Sequence, residues 1–384
     1  HETPYKMIRT PNIEDGHLYK DDVKYVEEEV YKKWTRRAKV NSGDVLLTRE
    51  APLGDVGLVR EDDTIFLGQR IMQYRPDPDI LDSRYLTYAF LSPFVQSQIH
   101  KYKGSGSVVD HIRVPECESL EIPLPPLKYQ KKIAKLLNTF DRKIRLNTEM
   151  SKNLEQLGRA VYHEWFVKYT PYSDFKDSKK GKIPEDFQVK NLLDITNAIL
   201  GYAFSSDEFN DDGDGTPLIR IRNLEDSKTE TYTPEEYRDR YHVTPGDILV
   251  SMDGKFRSYI WRSREAALNQ RVCKMEPSKR KYSNLFIHYL MEEPLYELEQ
   301  TKTGTTVIHL AKKDLKKVYV VVPDDESLGA FNQLANPLLD KIVSINSEKE
   351  YLHEMRNTLL PKVISGEVEV NNITMGDEMV SIGG

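Results

Sequence analysis

The chain has 384 residues, of which 39% are hydrophobic and 30% charged, as is typical of a globular protein of roughly two or three domains. It has no run of about 18 apolar residues and no N-terminal signal pattern, which argues against a membrane span or secretion. Its two cysteines, Cys117 and Cys273, are too few for a disulfide scaffold, so a cytoplasmic location is expected. The net charge of −6 argues, by itself, against a polyanionic ligand.

The charge is unevenly distributed along the chain. Residues 255–282 carry nine basic side chains against two acids, and residues 32–39 carry five basic side chains and no acid. Acids are concentrated instead in residues 207–214 and after residue 365. This pattern allows a basic face on a net-acidic protein. The alternative is surface charge that nearby acids neutralise in the folded chain.

An internal repeat organises the sequence, because several strings recur in the same order about 200 residues further on. The matching ranges are 8–15 with 219–226, 40–47 with 243–250, 67–70 with 268–271, and 103–108 with 302–307. The chain is therefore predicted to contain one unit written twice. Nothing in the first copy corresponds to residues 183–215, so the first copy is expected to lack its opening strand.

Each copy is predicted to mix strands and helices before it ends in a long helix. The runs predicted as strands, which lie between Gly, Pro, Asp and Asn residues, are residues 45–47, 122–124, 248–250 and 318–322. Residues 85–98 and 284–298 are predicted to be helical. Each copy is therefore expected to be α+β.

The two long helices are predicted at residues 128–170 and 327–365, where apolar side chains follow a heptad pattern. At one constant offset the a positions align in five pairs: Ile133 with Phe331, Phe140 with Leu338, Asn147 with Ile345, Leu154 with Leu352, and Val161 with Leu359. We expect the helices to form an antiparallel pair, with Asn147 fixing the register. Pro337 is expected to kink the second helix. The alternative is two independent helices, each packed on its own domain.

Motifs for catalysis are largely missing from the sequence. It contains no phosphate-binding Gly-x-x-x-x-Gly-Lys-Ser/Thr string and no Asn/Asp-Pro-Pro-Tyr string of a base-extruding methyltransferase. The acidic stretch from Asp207 lacks the final glutamate of a calcium loop, and no histidine pair has zinc-ligand spacing. His111 and His309 recur near equivalent loops, which indicates a structural or phosphate contact. A binding protein with two similar sites, such as two half-sites on duplex DNA, is favoured.

The junction before the first long helix carries a recognisable string. Residues 122–133 place a Pro-Pro turn directly before a helix with Gln130 and Ile133 in its first turns. Together with the two Gly-Asp strings, the two Gln-Arg strings and residues 359–367, this order resembles specificity subunits of type I restriction-modification systems. The second junction departs from the pattern, because it has a single proline, Pro323, and no counterpart of Gln130.

The resemblance implies an architecture and a set of partners. The expected boundaries are a first target recognition domain at 1–127, a conserved helix at 128–170, a second recognition domain at 171–326, a second conserved helix at 327–365 and an acidic tail at 366–384. The expected partners are double-stranded DNA with a bipartite target, two methylation subunits and restriction subunits. The resemblance also implies that the helices set the spacer between half-sites. The chain itself is then non-catalytic, and S-adenosylmethionine, ATP and magnesium belong to the partners.

The repeat also separates two classes of DNA-contacting residues. Positions shared by both copies are predicted to support strands or hold backbone phosphate, because the two copies should read different bases. These are Arg9, Arg220, Arg222, Gln69, Gln270, Arg70, Arg271, Lys103 and Lys302. Divergent residues after the Gly-Asp strings are predicted to read base edges. These are Arg49, Lys255, Arg257 and Tyr259.

Two other functional classes stay open from the sequence. One is a stand-alone DNA-acting enzyme, either a nuclease or a methyltransferase. The other is a coiled-coil scaffold that binds only proteins. Incubating the purified chain alone with DNA, magnesium and S-adenosylmethionine separates the enzyme from the recognition subunit.

Overall fold

The structure is a computed structural model that describes residues 2–61, 64–102, 110–302 and 308–370. The chain divides into two compact units. Unit 1 comprises His1–Ile144 and Leu352–Gly384, and unit 2 comprises Arg145–Tyr351. Among the helices formed by the described residues, none is apolar over a stretch long enough to span a membrane.

Short strands and helices alternate in the first part of the chain. Its elements are β1 (Tyr5–Ile8), β2 (Ile13–Glu14), β3 (His17–Leu18), β4 (Lys24–Val26), α1 (Glu28–Trp34), β5 (Val45–Arg49), β6 (Leu53–Leu58), β7 (Ile65–Leu67), β8 (Ile71–Tyr74), α2 (Ser83–Leu91), α3 (Pro93–His100), α4 (Val114–Glu118) and the long helix α5 (Leu127–Phe166).

The second part of the chain has the same kind of succession. Its elements are β9 (Phe175–Ser178), β10 (Gly181–Pro184), β11 (Gln188–Asn191), α6 (Leu192–Ile195), β12 (Thr196–Leu200), β13 (Thr216–Ile219), β14 (Tyr232–Thr233), β15 (His242–Val243), β16 (Ile248–Ser251), β17 (Ser258–Ile260), β18 (Ala266–Leu268), β19 (Val272–Pro277), α7 (Asn284–Leu290), α8 (Glu292–Thr301), α9 (Lys312–Leu315), β20 (Tyr319–Val322) and the long helix α10 (Asp325–Ser365).

Strand β5 is the central strand of its sheet in unit 1, and both of its faces are buried. It pairs with β6 and β8 in an antiparallel sheet of order β6-β5-β8, while β1 pairs with β4 and β7 in a second sheet. Val45 and Leu47 pack towards the side of α2 and α3, and Leu46 packs against residues of the second sheet such as Ile8. The continuous apolar run of β5 therefore reflects a strand buried on both faces.

Strand β16 has the same place in unit 2. It pairs with β17 and β19, and Ile248 and Val250 face the core beneath α7, while Leu249 faces the sheet that contains β13 and β18. The parallel pair of β13 with β18 repeats that of β1 with β7. Among the described residues, the sheet that contains β16 has one strand more than the sheet that contains β5, namely β12, which pairs with β19. The two predicted copies thus share a mixed α+β arrangement.

The two long helices pack against each other within each unit. In unit 1, Ile133, Leu137 and Phe140 of α5 share an apolar cluster with Leu352 and Leu360 of α10. This burial continues the heptad pattern on both helices and closes the core beneath α2.

In unit 2 the helix contacts run in opposite chain directions. The Asn147 amide nitrogen donates to the Glu348 carboxylate at 2.9 Å, and the Tyr162 ring lies 6.0 Å from that of Phe331. The helices are therefore antiparallel in this unit. Asn147 is buried at 2% exposure and its aligned residue Ile345 at 1%, whereas Leu154, Val161, Leu338 and Leu359 are half-buried.

The predicted fold class, two α+β copies with two long antiparallel helices, is confirmed. The strand predicted at residues 122–124 is wrong, because this stretch is irregular and the hydroxyl of Tyr85 donates to the Pro123 carbonyl oxygen at 2.7 Å. Prolines 123, 125 and 126 remove the N–H groups that a strand would need. Helix α10 continues past Pro337 to Ser365.

Candidate nucleic-acid interface

An exposed Gln-Arg turn follows β7 in unit 1 and β18 in unit 2. Gln69 and Gln270 are exposed, and the side chains of Arg70 and Arg271 are each 53% exposed. Both arginines have a left-handed backbone, with φ of 71° and 72° respectively. Few non-glycine residues adopt this conformation, so its occurrence at equivalent positions indicates a common local design.

Matching backbone hydrogen bonds join each turn to the end of the central strand, at the last residue of β5 and at the residue directly after β16. The Arg49 amide donates to the Arg70 carbonyl oxygen at 2.8 Å, and the Met252 amide donates to that of Arg271 at 3.0 Å. On the other side, the Ile112 amide donates to the Arg49 carbonyl oxygen at 3.0 Å, and the Leu310 amide to that of Met252 at 2.7 Å. The divergent segment therefore begins between two fixed neighbours in each unit.

An acid, an arginine and a histidine meet at this position in both units. Cluster 1 consists of Glu50, Arg70 and His111. The Arg70 Nε atom lies 2.9 Å from the Glu50 carboxylate, and Glu50 forms a backbone bridge with His111.

Cluster 2 consists of Asp253, Arg271 and His309. The His309 Nδ1 atom lies 2.6 Å from Asp253 Oδ1, which lies 3.5 Å from an Arg271 guanidinium nitrogen. Asp253 also forms a backbone bridge with His309. The same Nδ1 atom also lies 3.1 Å from an Arg271 guanidinium nitrogen, so the three side chains contact one another.

Lys302 supports cluster 2 from inside the unit. Its ammonium group donates to the His309 carbonyl oxygen and, at 2.6 Å, to the Asp314 carboxylate. Its side chain is only 25% exposed. Lys302 therefore links the backbone at His309 to Asp314 and stabilises this segment. Lys103, its counterpart in the first copy, lies outside the described residues.

Arg9 and Arg220 hold equivalent turns after β1 and β13. The backbone amide of each donates to the side-chain oxygen of an asparagine three residues later, Asn12 at 2.9 Å and Asn223 at 3.0 Å. The Arg9 guanidinium donates to Asp22 and that of Arg220 to Thr231. Burial, reinforced by the charge of Arg222, lowers the pKa of Arg220. Arg222 itself is exposed.

The four predicted base readers lie in different surroundings. Lys255 is exposed near the tip of the β16–β17 segment, whereas Arg257 donates to the Glu299 carboxylate at 2.6 Å. Tyr259 is half-buried against the apolar cluster beneath β16. Arg49 is also half-buried, and its Nε atom has no hydrogen-bond partner among the described residues. Lys255 is therefore the most accessible of the four.

Most of the basic charge in residues 255–282 is used within unit 2. Five of the nine basic side chains contact carboxylates: Arg257 with Glu299, Arg262 with Glu155, Arg271 with Asp253, Lys274 with Glu276 and Lys281 with Asp325. The neutralised-charge alternative thus applies to most of this segment. The five basic side chains of residues 32–39 are all exposed beside an exposed Trp34, and one of them, Lys32, contacts the Glu28 carboxylate at 2.7 Å.

Glu50 and Asp253 were missed as site residues by the sequence argument. Both acids lie in the segments after the Gly-Asp strings, whose sequences differ between the two copies. Leu46 of β5 pairs with β8, and Leu249 of β16 pairs with the equivalent strand β19, so Leu46 and Leu249 are equivalent positions. Four residues further along each chain segment, Glu50 and Asp253 are therefore equivalent as well. The shared negative charge at this position was the available signal.

Comparison with known proteins defines the class of this chain. The family described as type I restriction modification DNA specificity domain matches residues 4–156 and 184–347. The fold is similar to that of the type I restriction-modification system S subunit from M. genitalium, with a TM-score of 0.53 at 17% identity over 94% of this chain and 90% of that chain. The class is thus a protein with two copies of a DNA specificity domain.

The chain belongs to this family. Among its relatives, the type I restriction enzyme MjaVIII specificity subunit of Methanocaldococcus jannaschii is 26% identical over 96% of this chain and 87% of the relative. The MjaIX specificity subunit of the same organism is 25% identical over 86% of this chain and 79% of the relative. The EcoBI specificity subunit of Escherichia coli is 32% identical over 45% of this chain and 38% of the relative.

Proposed function

We propose that this chain is the non-catalytic DNA-recognition subunit of a type I restriction-modification complex, with each unit reading one half of a bipartite DNA target. The observation that carries the proposal is the repeated cluster of acid, arginine and histidine beside a segment that differs between the units. A common phosphate-binding frame around unlike side chains is what two unlike half-sites require.

The shared and divergent residues have different tasks in this proposal. Gln69, Arg70, Gln270 and Arg271 are exposed in equivalent turns and contact the sugar-phosphate backbone. Lys255, at the exposed tip of the segment after β16, contacts a base edge in the major groove. Arg9, Arg220 and Lys302 act indirectly, by holding the turns and segments around these contacts.

The long helices are the proposed site for the methylation subunits. Leu146, Met150 and Leu157 of α5 are 37%, 44% and 50% exposed, which leaves an apolar stripe at helical spacing on that helix. In this assembly the methylation subunits supply S-adenosylmethionine chemistry, and restriction subunits supply ATP- and magnesium-dependent cleavage. The helices also determine how many unread base pairs separate the half-sites.

The base contact of Lys255 is tested by a matched pair of lysine variants. The Lys255→Ala variant is expected to weaken specific binding by the assembled complex by about 1–3 kcal/mol, because a lost base contact has that magnitude. The control is Lys279→Ala, which removes an exposed lysine from the same unit. Affinity is measured on a duplex that carries the target identified by mapping methylated bases in the source genome. Equal effects of the two substitutions would remove Lys255 from the interface.

The function as a whole is tested by two measurements. Mapped methylation should fall on a bipartite motif with unlike halves and should depend on this chain. The purified chain alone, incubated with DNA, magnesium and S-adenosylmethionine, should neither cleave nor methylate. Either activity in the isolated chain would favour a stand-alone enzyme, and a failure of the complex to bind DNA would favour a protein scaffold.

A further inference from the structure

Clusters 1 and 2 contain a feature that DNA binding alone does not explain. Each places a carboxylate beside an exposed arginine in a site proposed to face a polyanion. The Glu50 side chain is 19% exposed and the Asp253 side chain 25%, so both acids lie beneath their arginines. A carboxylate near DNA phosphate is electrostatically unfavourable. Because both units have one, each acid is expected to contribute to binding in a way that offsets this repulsion.

The backbone of each arginine points to the same role. Arg70 and Arg271 both lie in the left-handed region at φ of 71° and 72°, which is unfavourable for a residue with a Cβ atom. Their carbonyl oxygens accept hydrogen bonds from Arg49 and Met252, which ties this conformation to the central strands β5 and β16. The direction in which each arginine side chain leaves the backbone is therefore set by the fold.

The guanidinium group is then held by the acid at one side. In cluster 1 the Glu50 carboxylate contacts Arg70 Nε, and in cluster 2 Asp253 contacts a terminal nitrogen of Arg271. The same Arg271 nitrogen also lies 3.1 Å from the His309 Nδ1 atom. A guanidinium has five N–H donors, so both arginines keep enough donors for a bidentate contact with phosphate. His309 holds Asp253 in turn, and Lys302 holds the His309 carbonyl oxygen.

We propose that Glu50 and Asp253 are positioning residues, each of which orients its arginine towards a backbone phosphate of its own half-site. This inference rests on the proposed function. It adds that the acids assist DNA binding despite their charge. It also gives Arg70 and Arg271 the same phosphate contact in the two half-sites.

A double-mutant cycle on the full chain, assembled with methylation subunits, tests the inference. The variants are Arg271→Gln, Asp253→Asn and the two combined, and the probe is a duplex carrying the bipartite target. Affinity is measured over a range of KCl concentrations. Arg271→Gln should reduce the slope of log affinity against log salt by about 0.9, the value of one lost phosphate contact, and should leave base preference unchanged.

The direction in which Asp253→Asn changes DNA affinity decides between positioning and simple charge repulsion. Electrostatics alone predicts tighter binding when an acid is removed near DNA, whereas positioning predicts binding that is weaker by about tenfold, as for a lost hydrogen bond to a charged group. In the Arg271→Gln background the same substitution should no longer weaken binding, since the residue it positions is gone. Asp253→Glu, which introduces the acid that unit 1 uses, should retain most of the affinity.

Two results would overturn the inference while leaving the proposed function intact. One is tighter binding by Asp253→Asn with Arg271 present. The other is a changed base preference with an unchanged salt slope in Arg271→Gln, which would make the arginine a base reader. If Asp253→Asn lowers the melting temperature, the cycle is decided with Glu50→Gln and Arg70→Gln in unit 1. If the unsubstituted complex does not bind the bipartite duplex, the proposed function itself fails.

Discussion

In each unit the mixed domain packs against the long helices, but the buried residues at this junction are polar in unit 1 and apolar in unit 2. At the constant offset that aligns α5 with α10, Gln130 corresponds to Leu328 and Asp141 to Leu339. All four side chains are buried. The same offset pairs Arg356 in unit 1 with Gly158 in unit 2. The junction of unit 1 is polar and that of unit 2 is apolar, although the surrounding elements are equivalent.

The junction of unit 1 is a buried network centred on Arg356. Its guanidinium lies 2.8 Å from the Asp141 carboxylate and also 2.8 Å from that of Asp15, and the Tyr88 hydroxyl donates to Asp141. Burial alone would lower the pKa of Arg356, but its hydrogen bonds and charge interactions with the two acids outweigh burial and raise the pKa. Gln130 adds hydrogen bonds to the Ile80 and Pro125 carbonyl oxygens.

The junction of unit 2 is built from aromatic rings. Phe331, which is fully buried, has its ring 5.3 Å from that of Phe166, 6.0 Å from Tyr162 and 6.3 Å from Phe286. Tyr289, the counterpart of Tyr88, donates from its hydroxyl to the Glu155 carbonyl oxygen at 2.9 Å. The missing side chain of Gly158 leaves the space for that hydroxyl.

The difference shows that one backbone arrangement admits two kinds of packing with different tolerance to change. A buried charge network depends on every member, because removing one partner leaves the others buried without compensation. An apolar cluster depends on volume and shape and loses stability more gradually.

Arg356→Leu is expected to destabilise unit 1 by about 3–5 kcal/mol, because it leaves the buried Asp141 carboxylate without its counter-charge. Urea denaturation of the full chain measures the loss, and hydrogen exchange locates it in unit 1. The control is Arg159→Leu, which breaks an exposed ion pair with Glu292 and should cost less than about 1 kcal/mol. Similar losses for the two variants would mean that the network contributes no more than a surface ion pair.

Combining Arg356→Leu with Asp141→Leu should recover much of that loss. The second substitution places in unit 1 the residue type that unit 2 has at Leu339, and replacing a buried ion pair by apolar residues is often neutral or stabilising. The same denaturation experiment measures the recovery. A double variant no more stable than Arg356→Leu alone would show that unit 1 does not tolerate apolar side chains in place of its buried ion pair.

Acid should destabilise unit 2 through His288. This side chain is 6% exposed, and burial, together with the charges of Arg159 and Arg262, lowers its pKa to about 3. The folded-state pKa lies below the unfolded value of about 6.5, so its contribution is complete above pH 6.5 and decreases as the pH falls towards 3. The expected loss between pH 8 and pH 5 is about 2 kcal/mol.

The matched variant is His288→Thr, which introduces the residue of the equivalent position in unit 1, Thr87. The hydrogen-exchange stability of α7 is followed from pH 8 to pH 5 in both proteins. The variant should lose the part of the pH dependence that His288 causes. An unchanged pH dependence would assign acid sensitivity to other groups.

Gly158→Ala should destabilise unit 2 by about 1 kcal/mol, even though alanine favours a helix. A Cβ atom at this position would lie 2.6 Å from the Tyr289 hydroxyl oxygen, so the ring and its hydrogen bond must move. In a Tyr289→Phe background the same substitution should be neutral or stabilising. Melting temperatures of the four proteins measure the coupling, and additive effects would contradict the contact.

The sequence predicted the elements whose signal is local and missed the contacts that join distant residues. The heptad pattern placed the long helices within a few residues of α5 and α10, and the apolar runs located β5, β16 and β20. The pairing of Glu50 with Arg70, and that of Asp141 with Arg356, joins positions far apart in the chain with no local signature. The role of Asn147 in register and the contacts with DNA stay predictions.

The division of the chain has a consequence for its synthesis. Unit 1 needs Leu352, Arg356 and Leu360 to close its core, whereas unit 2 is complete at Tyr351. During translation, unit 2 therefore emerges with all its partners before unit 1 receives its last helix segment. Completion of unit 1 therefore depends on a helix segment that follows the whole of unit 2 in the chain, although N-terminal domains commonly fold first. Until residues 352–360 are available, the Asp141 carboxylate lacks its contact with Arg356, and the apolar face around Leu137 lacks its contacts with Leu352 and Leu360.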